Sequence, residues 1–335
     1  MNHAPYPLVS LCMATCLRMD LFPESLQGLL RQTYEPLEIV VLADGADEEA
    51  IRVLKTCADP RLRWFSTTQP SGMVKAWNLV CKASKGKYFL FCAHDDVLLD
   101  RAIEGQVELM EKHESIGFCH ADFTFIDDDG REIDRWVSHE GTWIKRGAEE
   151  WPRYVVRTGC CMQATLVRRS MWDEVGGWEE DAGNPGDNSL YLKLLRVGDV
   201  GHVSNVVCKY RLRIRTPDSW QKRFQNLREH HRLSTKHLAT PLLASSVAPK
   251  IISQQLSSRL SQMAIPLLSS APDQQSQQEL RIWLRQNVWR NSAFGRFCCI
   301  ADKYHAAKVL ELGLRNQNRL RAIARNLVGA SLRGS

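Results

Sequence analysis

Short apolar runs alternate with segments of helical period along the front of the chain. The runs are rich in Val, Ile, Leu and Phe, and they cover Pro7–Ala14, Leu37–Ala43, Leu62–Ser66 and Lys87–Ala93. Segments with helical spacing lie between them, at Pro23–Gln32, Ala46–Cys57 and Gly72–Ala83. Nearly continuous apolar strands are typical of parallel sheets that are covered on both faces. The alternation therefore predicts an α/β sheet built from right-handed crossovers.

The pattern continues less regularly to about residue 213. Ile116–Ile126 predicts a strand, and the Asp-Gly step at its end predicts a hairpin turn at Asp127–Gly130 rather than a metal site. Residues 131–160 are polar and Trp-rich, which favours a loop. The remaining predicted elements are a strand at Cys161–Arg168, a helical turn at Ser170–Val175, a helix at Asp187–Val197 and a strand within Val200–Arg213.

The amino-acid composition changes near Thr216. Beyond this residue Gln, Ser, Arg and Leu dominate, and no strand pattern is found. Helices are predicted at Gln225–Leu238, Lys250–Leu268, Gln274–Arg290 and Asp302–Leu332. We therefore predict two domains, an α/β domain at 1–215 and a basic, mostly helical region at 216–335.

Charge separates the two parts. The 335 residues carry a net charge of +6, but residues 1–210 hold 23 Lys/Arg against 32 Asp/Glu, and residues 211–335 hold 21 against 6. The segment 314–333 reads as a basic amphipathic helix. It is interpreted as a packed helix with a solvated face, and the alternative is contact with an anionic membrane surface or a lipid-linked substrate. Trp283 and Trp289 lie at helical spacing among apolar neighbours, which favours core packing, so no nucleic-acid partner is expected.

Cysteine usage and hydropathy bear on the compartment. No apolar run approaches the roughly 20 residues that span a bilayer, and the first residues lack the pattern of a secretory leader. The eleven cysteines are odd in number and include no C-x-x-C, and several lie inside apolar runs. Such cysteines are typical of core residues in a protein of a reducing compartment. We expect a cytoplasmic protein, and the alternative left open is peripheral contact of the basic C-terminal helices with the inner face of the membrane.

Polar residues follow three of the predicted strands at their carboxyl ends. Thr15 follows the first strand, Asp44 the second, and the pair Asp95–Asp96 the fourth. Ligands bind at this edge of open α/β sheets, so these residues are candidates for one site. Each also has a plain structural alternative, because Asp-Gly is a turn signal and adjacent Asp residues serve as helix caps.

Four blocks in order resemble one family. PLVSLCMATCLRMDLFPESLQGLLRQTYEPLEIVVLADGADE resembles the opening of the inverting glycosyltransferases of family 2, which have the GT-A fold. SGMVKAWNLVCKASKGKYFLFCAHDDVLL resembles their next block, MQATLVRRSMWDEVGGWEE their acceptor-side strand and helix, and PGDNSLYLKLL the segment that supplies the base. The resemblance covers roughly residues 5–215. It implies a Rossmann-like mixed sheet of the nucleotide-diphospho-sugar transferase type, here with a C-terminal helical appendage.

The resemblance also implies a donor site for a UDP- or GDP-linked sugar. Thr15 would lie under the base, Asp44 would hold the base or ribose, and Lys75 would face the nucleotide. Asp95 and Asp96 would form the acidic site for Mg²⁺ or Mn²⁺, with Asp96 favoured for the metal and Asp95 shared with the nucleotide. Such cations take hard oxygen ligands, and they neutralise a diphosphate leaving group.

The same resemblance implies an acceptor side with Asp187 as general base. The acceptor would be a hydroxyl of a glycan or of a lipid-linked substrate, in polysaccharide, lipopolysaccharide or other glycan assembly. A helix N-terminus would keep Asp187 ionised but lower its basicity. The alternative for Asp187 is a helix cap without chemistry, in which case the neighbouring Glu180 or Asp181 would take the role.

The chain departs from the family pattern at several positions. Ala93 replaces the first acid of the Asp-x-Asp motif, His94 follows it as a polar strand-end residue, and Ala43 replaces another common Asp. Gly186 and Ser189 replace acids in the segment of the base. These departures keep a second hypothesis open, a non-catalytic sugar-nucleotide-binding or scaffold protein on the same fold. A nucleotidyltransferase is disfavoured because no Gly-rich loop follows the first strand, and a homo-oligomer is left open.

Overall fold

The computed structural model describes residues 6–15, 20–138, 140–213, 218–240 and 247–292, together with Arg296 and Cys298. The strands in these residues are β1 (Val9–Thr15), β2 (Leu37–Ala43), β3 (Leu62–Ser66), β4 (Tyr88–Cys92), β5 (Val97–Leu98), β6 (Ile116–Ile126), β7 (Glu132–Trp136), β8 (Trp143–Lys145), β9 (Thr165–Arg168) and β10 (Asp199–Arg211). The helices are α1 (Phe22–Leu30), α2 (Glu48–Thr56), α3 (Met73–Ala83), α4 (Glu104–Lys112), α5 (Gly147–Val156), α6 (Arg169–Val175), α7 (Gly186–Leu194), α8 (Trp220–Ala239), α9 (Pro249–Ser269) and α10 (Gln274–Asn287).

One mixed sheet organises the front of the chain. Its strand order is β3-β2-β1-β4-β9-β6-β10-β5, with β7 beside β6 and β8 beside β10. The strands β1 to β4 are parallel to one another, whereas β9 runs antiparallel to both β4 and β6. The predicted mixed α/β sheet is therefore confirmed, and its parallel half is the part that the apolar runs predicted.

Local sequence explains the elements of the parallel half. Every residue of β4 is buried, as a central parallel strand requires. The side chain of Asp47 accepts a hydrogen bond from the backbone N–H of Ala50 at 3.1 Å, which caps α2. Pro23 lies in the first turn of α1, where its missing N–H costs nothing. The bounds predicted for β2, β3 and β6 agree with the structure to the residue.

The predicted hairpin after β6 is also confirmed. The backbone N–H of Asp127 donates to the carbonyl of Arg131 at 2.9 Å, and Gly130 adopts a φ of 81°. The Asp127 carboxylate accepts the backbone N–H groups of Asp129 and Arg131, both at 2.9 Å. The acidic run therefore serves the turn that joins β6 to its antiparallel partner β7.

The loop predicted for residues 131–160 is wrong, because this segment forms β7, β8 and α5. Four of the five residues of β7 are exposed, so the strand carries little apolar pattern, and β8 has only three residues. Pro152 lies inside α5, where it masked a helix that buries Trp151, Tyr154 and Val155. Edge pairing and tertiary packing thus override the local pattern.

Two smaller differences also come from weak local patterns. Sequence reasoning passed over α4, a helix with charged residues on its open face and three buried ones, Gln106, Val107 and Met110. The strand predicted to begin at Cys161 begins at Thr165, because a short 3-10 turn occupies Met162–Ala164.

The described residues fall into two compact units, one formed by residues 6–213 with Thr240 and the other by residues 218–239 and 247 onward. In the second unit Trp289 is fully buried, and Trp283 meets the ring of Phe224 edge-on at 5.8 Å. The core packing predicted for Trp289 is therefore confirmed, whereas Trp283 is only partly buried. The predicted helix at Asp302–Leu332, with its basic segment, lies outside the described residues. Within the described ranges, no helix combines the length and apolar character that crossing a bilayer requires.

Candidate active site

The carboxyl ends of β1, β2 and β4 meet at one edge of the sheet. Thr15 ends β1 opposite Ala43 of β2, and Asp44 follows directly. The pair Asp95–Asp96 follows the end of β4 at Cys92, which lies opposite Met13 of β1. A cavity of about 570 Å³ opens at this edge. The structure therefore brings together the strand-end residues that the sequence singled out, as expected for the ligand-binding edge of an α/β sheet.

Asp44 forms part of the cavity wall in a fixed orientation. Its carboxylate accepts the hydroxyl of Thr67 at 2.7 Å and the backbone N–H of Ser71 at 3.0 and 2.9 Å. The Thr67 hydroxyl in turn accepts the N–H of Gly45 at 2.8 Å. Gly45 has a φ of 73°, and a Cβ there would lie 2.8 Å from the ring of Pro70. The turn after β2 is thus built to hold one carboxylate at the cavity, beyond what a simple Asp-Gly turn needs.

Thr15 offers an unsatisfied polar atom to the same cavity. Its side chain is buried, and its Oγ1 has no hydrogen-bond partner in the structure. A buried hydroxyl without a partner costs free energy, about 1–3 kcal/mol in mutational data. Because Thr15 lines the cavity, a polar group of a bound ligand would satisfy this atom.

Asp95 and Asp96 point to different surroundings. Asp95 lines the cavity, and its Oδ2 lies 2.9 Å from Nη2 of Arg213. Asp96 is only 5% exposed, is absent from the cavity wall, and accepts the backbone N–H of Arg211 at 2.7 Å. Burial and the charge of Asp95 hold the pKa of Asp96 well above its usual range. The geometry therefore favours Asp95 over Asp96 for contact with a ligand, against the preference stated from the sequence.

Arg211 explains why the two carboxylates separate. Its buried guanidinium donates to the carbonyl of Asp95 at 2.9 Å, to the carbonyl of Asp127 at 3.1 Å and to the carboxylate of Glu24 at 2.6 Å. One side chain thus ties the turn after β4 to the hairpin after β6 and to α1. Sequence reasoning did not identify Arg211, although an arginine that ends an apolar strand is a usable signal.

The metal prediction rests on few protein ligands. No group of three His, Cys, Asp or Glu side chains able to hold a metal ion is found in the part of the chain that the structure describes. Ala93 supplies no ligand, Asp96 is turned away, and Asp95 already faces a guanidinium. These residues do not fit a preassembled cation site, since Mg²⁺ and Mn²⁺ would need most of their ligands from elsewhere. Metal binding stays a prediction, and it depends on Asp95.

Asp187 lies in the wall of the same cavity, at the start of α7. Burial raises the pKa of Asp187 to about 6, although the backbone N–H of Asn188 donates to its Oδ1 at 2.7 Å and opposes the shift. Desolvation therefore outweighs the helix N-terminus that was expected to lower its basicity. The alternatives Glu180 and Asp181 are exposed and do not line the cavity.

Packing against α3 fixes the start of α7. A Cβ on Gly186 would lie 2.7 Å from Cγ2 of Val74 and 3.0 Å from the ring of Trp77, so the family's usual acid has no room here. Asn78 of α3 donates to the carbonyl of Trp178 and accepts its N–H, both at 3.0 Å. These contacts hold the segment that leads to Asp187, and no local pattern could have revealed them.

The rest of the cavity wall is largely aromatic and sulfur-bearing. Trp77, Phe91, Phe123, Phe125 and Tyr210 line it, and the rings of Trp77 and Phe91 lie 5.4 Å apart. Cys160 also lines it, and burial raises the pKa of that thiol to about 12. The thiol is therefore neutral, which excludes it as the nucleophile at neutral pH.

Lys75 stands apart from the other predicted residues. It lies on α3 with an exposed side chain and does not line the cavity. Its neighbours Met73, Ala76 and Trp77 face the cavity instead. The role of Lys75 toward a nucleotide stays a prediction.

Comparison with known proteins agrees with this geometry. Residues 10–176 match the family model described as glycosyl transferase family 2. Chondroitin synthase from Escherichia coli is 26% identical over 212 residues, which are 62% of this chain and 29% of that protein. An uncharacterized glycosyltransferase from Rickettsia bellii is 26% identical over 206 residues, which are 61% of this chain and 29% of that protein. The match thus spans less than a third of the length of each of these two relatives.

Solved structures share the fold. Residues 1-349 of S. aureus TarS, in complex with UDP-GlcNAc, give a TM-score of 0.67 at 14% identity over 92% of each chain. The mannosyltransferase PcManGT from Pyrobaculum calidifontis, in complex with GDP-Man and Mn²⁺, gives 0.51 at 16% identity over 91% of this chain and 87% of that one. The predicted GT-A fold is thereby confirmed. This chain belongs to glycosyl transferase family 2, and residues 10–176 are the segment that matches the family.

Proposed function

We propose that the chain is an inverting glycosyltransferase. It moves a sugar from a nucleotide-linked donor to a hydroxyl of a glycan or lipid-linked acceptor, in polysaccharide, lipopolysaccharide or other glycan assembly. The observation that carries the proposal is one cavity lined both by the strand-end residues Thr15, Asp44 and Asp95 and by Asp187 of α7. The E. coli relative, a chondroitin synthase, supports a role in glycan assembly.

The strand-end side of the cavity suits the donor. The fixed carboxylate of Asp44 accepts hydroxyl or N–H donors of a ribose or base, and the buried Oγ1 of Thr15 gains a partner when a nucleotide is bound. The fold neighbours bind UDP-GlcNAc and GDP-Man, which supports a UDP- or GDP-linked sugar here. We expect the diphosphate to lie near Asp95, at the end of β4.

The α7 side suits the acceptor and the chemical step. The acceptor oxygen attacks the anomeric carbon while the bond from that carbon to the diphosphate oxygen breaks. The nucleoside diphosphate leaves with the electron pair, and the hydroxyl proton passes to the Asp187 carboxylate. With its pKa raised to about 6, Asp187 is ionised at neutral pH and more basic than an ordinary Asp. Attack from the face opposite the leaving group inverts the anomeric centre.

A panel of UDP- and GDP-sugars tests this function. Purified protein is incubated with each donor, with and without Mn²⁺, and released nucleoside diphosphate is measured. Wild type is expected to release it from at least one donor, and Asp187→Asn to lose about 10²- to 10⁴-fold, the usual contribution of a general base. Asp181→Asn is the matched control, because Asp181 is exposed outside the cavity.

The panel also tests the alternative of a non-catalytic binding protein. A donor that raises the melting temperature of wild type without any turnover would support that alternative. Loss of turnover in Asp181→Asn, with Asp187→Asn active, would move the base to the neighbouring loop. No binding and no turnover with any donor would contradict both functions.

A further inference from the structure

The described wall of the cavity carries more negative than positive charge. Three carboxylates line it, those of Asp44, Asp95 and Asp187. Among the described residues that line the cavity, Arg213 is the only Lys or Arg. The proposed donor brings a diphosphate, which carries further negative charge. Binding therefore needs a positive group at this edge of the sheet, and the described protein residues offer one guanidinium for it.

One partner of this guanidinium is the carboxylate that the family pattern assigns to a metal. Nη2 of Arg213 lies 2.9 Å from Oδ2 of Asp95. Ala93 stands where the first carboxylate of the Asp-x-Asp motif would be, and Asp96 accepts a hydrogen bond from the backbone of β10. In this chain the guanidinium of Arg213 is therefore paired with the same carboxylate that would ligate a metal ion.

The exposure of this ion pair allows Arg213 to leave Asp95 for a phosphate group. The side chain of Arg213 is 42% exposed and that of Asp95 is 14% exposed. Ion pairs with this much solvent contact contribute little to stability. A guanidinium binds phosphate oxygens through two parallel hydrogen bonds, a geometry that favours phosphate strongly. A diphosphate in the cavity would therefore attract Arg213 without a large loss from leaving Asp95.

We propose that Arg213 binds the diphosphate of the donor and supplies the positive charge that stabilises the leaving nucleoside diphosphate, with Asp95 positioning the guanidinium in the free protein. The inference rests on the proposed function and goes further, because it predicts donor binding without a divalent cation. The guanidinium stays protonated throughout and exchanges no atoms with the substrate. The site takes a nucleoside diphosphate group, and its affinity depends on the protein rather than on added metal.

Calorimetric titration with UDP and GDP tests the inference, first in EDTA and then in Mn²⁺. Wild type is expected to bind one nucleotide in EDTA, with a Kd within about threefold of the value in Mn²⁺. Arg213→Gln is expected to bind about tenfold or more weakly in EDTA, as for loss of a charged hydrogen-bond donor. Arg213→Lys keeps the positive charge but cannot donate two parallel hydrogen bonds to a phosphate. Its affinity in EDTA should lie between those of wild type and Arg213→Gln.

Asp95→Asn separates the two roles of that carboxylate. If Asp95 only positions Arg213, the variant binds nucleotide in EDTA more weakly than wild type but more tightly than Arg213→Gln, and added Mn²⁺ does not change its affinity. If Asp95 is a metal ligand, the variant loses binding that requires Mn²⁺. Arg131→Gln is the matched control, since Arg131 is 78% exposed and pairs with Asp129 on the hairpin turn. Its affinity should equal that of wild type.

Three outcomes overturn the inference. Wild type that binds a nucleotide only with Mn²⁺ would assign the charge to the metal and leave the proposed function standing. Arg213→Gln with wild-type affinity in EDTA and an unchanged melting temperature would exclude Arg213 as the ligand. Wild type that binds neither nucleotide in either buffer would overturn the proposed function as well.

Discussion

The backbone N–H of Arg211 donates to Oδ1 of Asp96 at 2.7 Å, and this bond separates two neighbouring carboxylates into two environments. Asp96 becomes a buried connection between β10 and the turn after β4. Asp95 remains in the cavity wall, next to Arg213. The acidic pair that attracts attention in the sequence is therefore one cavity residue and one structural residue.

The first prediction concerns the contribution of Asp96 to the free energy of unfolding, which decreases as pH rises. Burial and the charge of Asp95 raise its pKa in the folded protein. In the unfolded chain Asp96 ionises near pH 4, whereas the folded protein keeps the proton to higher pH. Its contribution to stability is therefore largest in acid and falls as pH rises above about 4. Asp96→Asn, which cannot ionise, should lose less stability than wild type between pH 5 and pH 8 in thermal melts.

Two further variants sharpen this test. Asp96→Ala leaves the N–H of Arg211 without an acceptor and should cost about 1–3 kcal/mol of unfolding free energy. Asp100→Asn is the control, because the Asp100 side chain is 57% exposed and pairs with Arg31 at the surface. An Asp96→Asn protein that follows the wild-type pH dependence would show that Asp96 is not a buried acid.

The second prediction concerns the link between α3 and the segment that carries Asp187. Asn78→Ala removes both hydrogen bonds to the backbone of Trp178. Leaving these buried groups unpaired should cost about 2 kcal/mol or more. Because Asp187 lies on the helix that follows this segment, we expect kcat to fall about tenfold while KM for the donor stays near the wild-type value.

A stability-matched control separates positioning from general loosening. Leu54→Ala removes a buried side chain of α2 that does not line the cavity, at a cost of about 2–5 kcal/mol. Its kcat should stay close to that of wild type at a temperature where both proteins are folded. Equal losses of kcat in the two variants would argue against a specific role for Asn78.

The third prediction concerns the missing acid at the start of α7. Gly186→Ala places a Cβ 2.7 Å from Cγ2 of Val74, and overpacking of this kind costs about 1–3 kcal/mol. Val74→Ala removes the methyl groups that the new atom would meet. The double variant should therefore be more stable than the sum of the two single effects predicts, which a double-mutant cycle in urea measures.

The same cycle has a clear opposing result. If Gly186→Ala unfolds at the same urea concentration as wild type, the contact of α7 with α3 has room for a side chain. The family's usual acid would then be absent for another reason than packing.

Sequence patterns predicted the parallel half of the fold well. Strand β2 is nearly continuous in apolar residues, and six of its seven residues are buried, so local pattern and tertiary burial agree. The strands β7 and β8 could not be found this way, because partners distant in sequence specify them and their own residues are mostly polar or few. Pro152 hid α5 for a local reason, since proline normally ends a helix.

The candidate site shows the same division. The positions of Thr15 and Asp44 could be predicted from the sequence. Both residues follow parallel strands, and the carboxyl ends of such strands meet at one edge of the sheet. The different orientations of Asp95 and Asp96 depend on β10, more than a hundred residues later in the chain, and no spacing encodes that contact. Arg213 was overlooked because a charged residue that follows a strand is usually exposed to solvent and has no binding role.

The pH dependence of nucleoside diphosphate release tests the central claim, that Asp187 is the base of a sugar transfer, most directly. With a donor that turns over, wild-type kcat is expected to rise with pH along an acid limb of apparent pKa near 6, as the carboxylate loses its proton. Asp187→Asn should be at least 10²-fold slower and should lack this limb. A flat wild-type profile between pH 5 and pH 8, or an Asp187→Asn protein that keeps both rate and limb, would contradict the account.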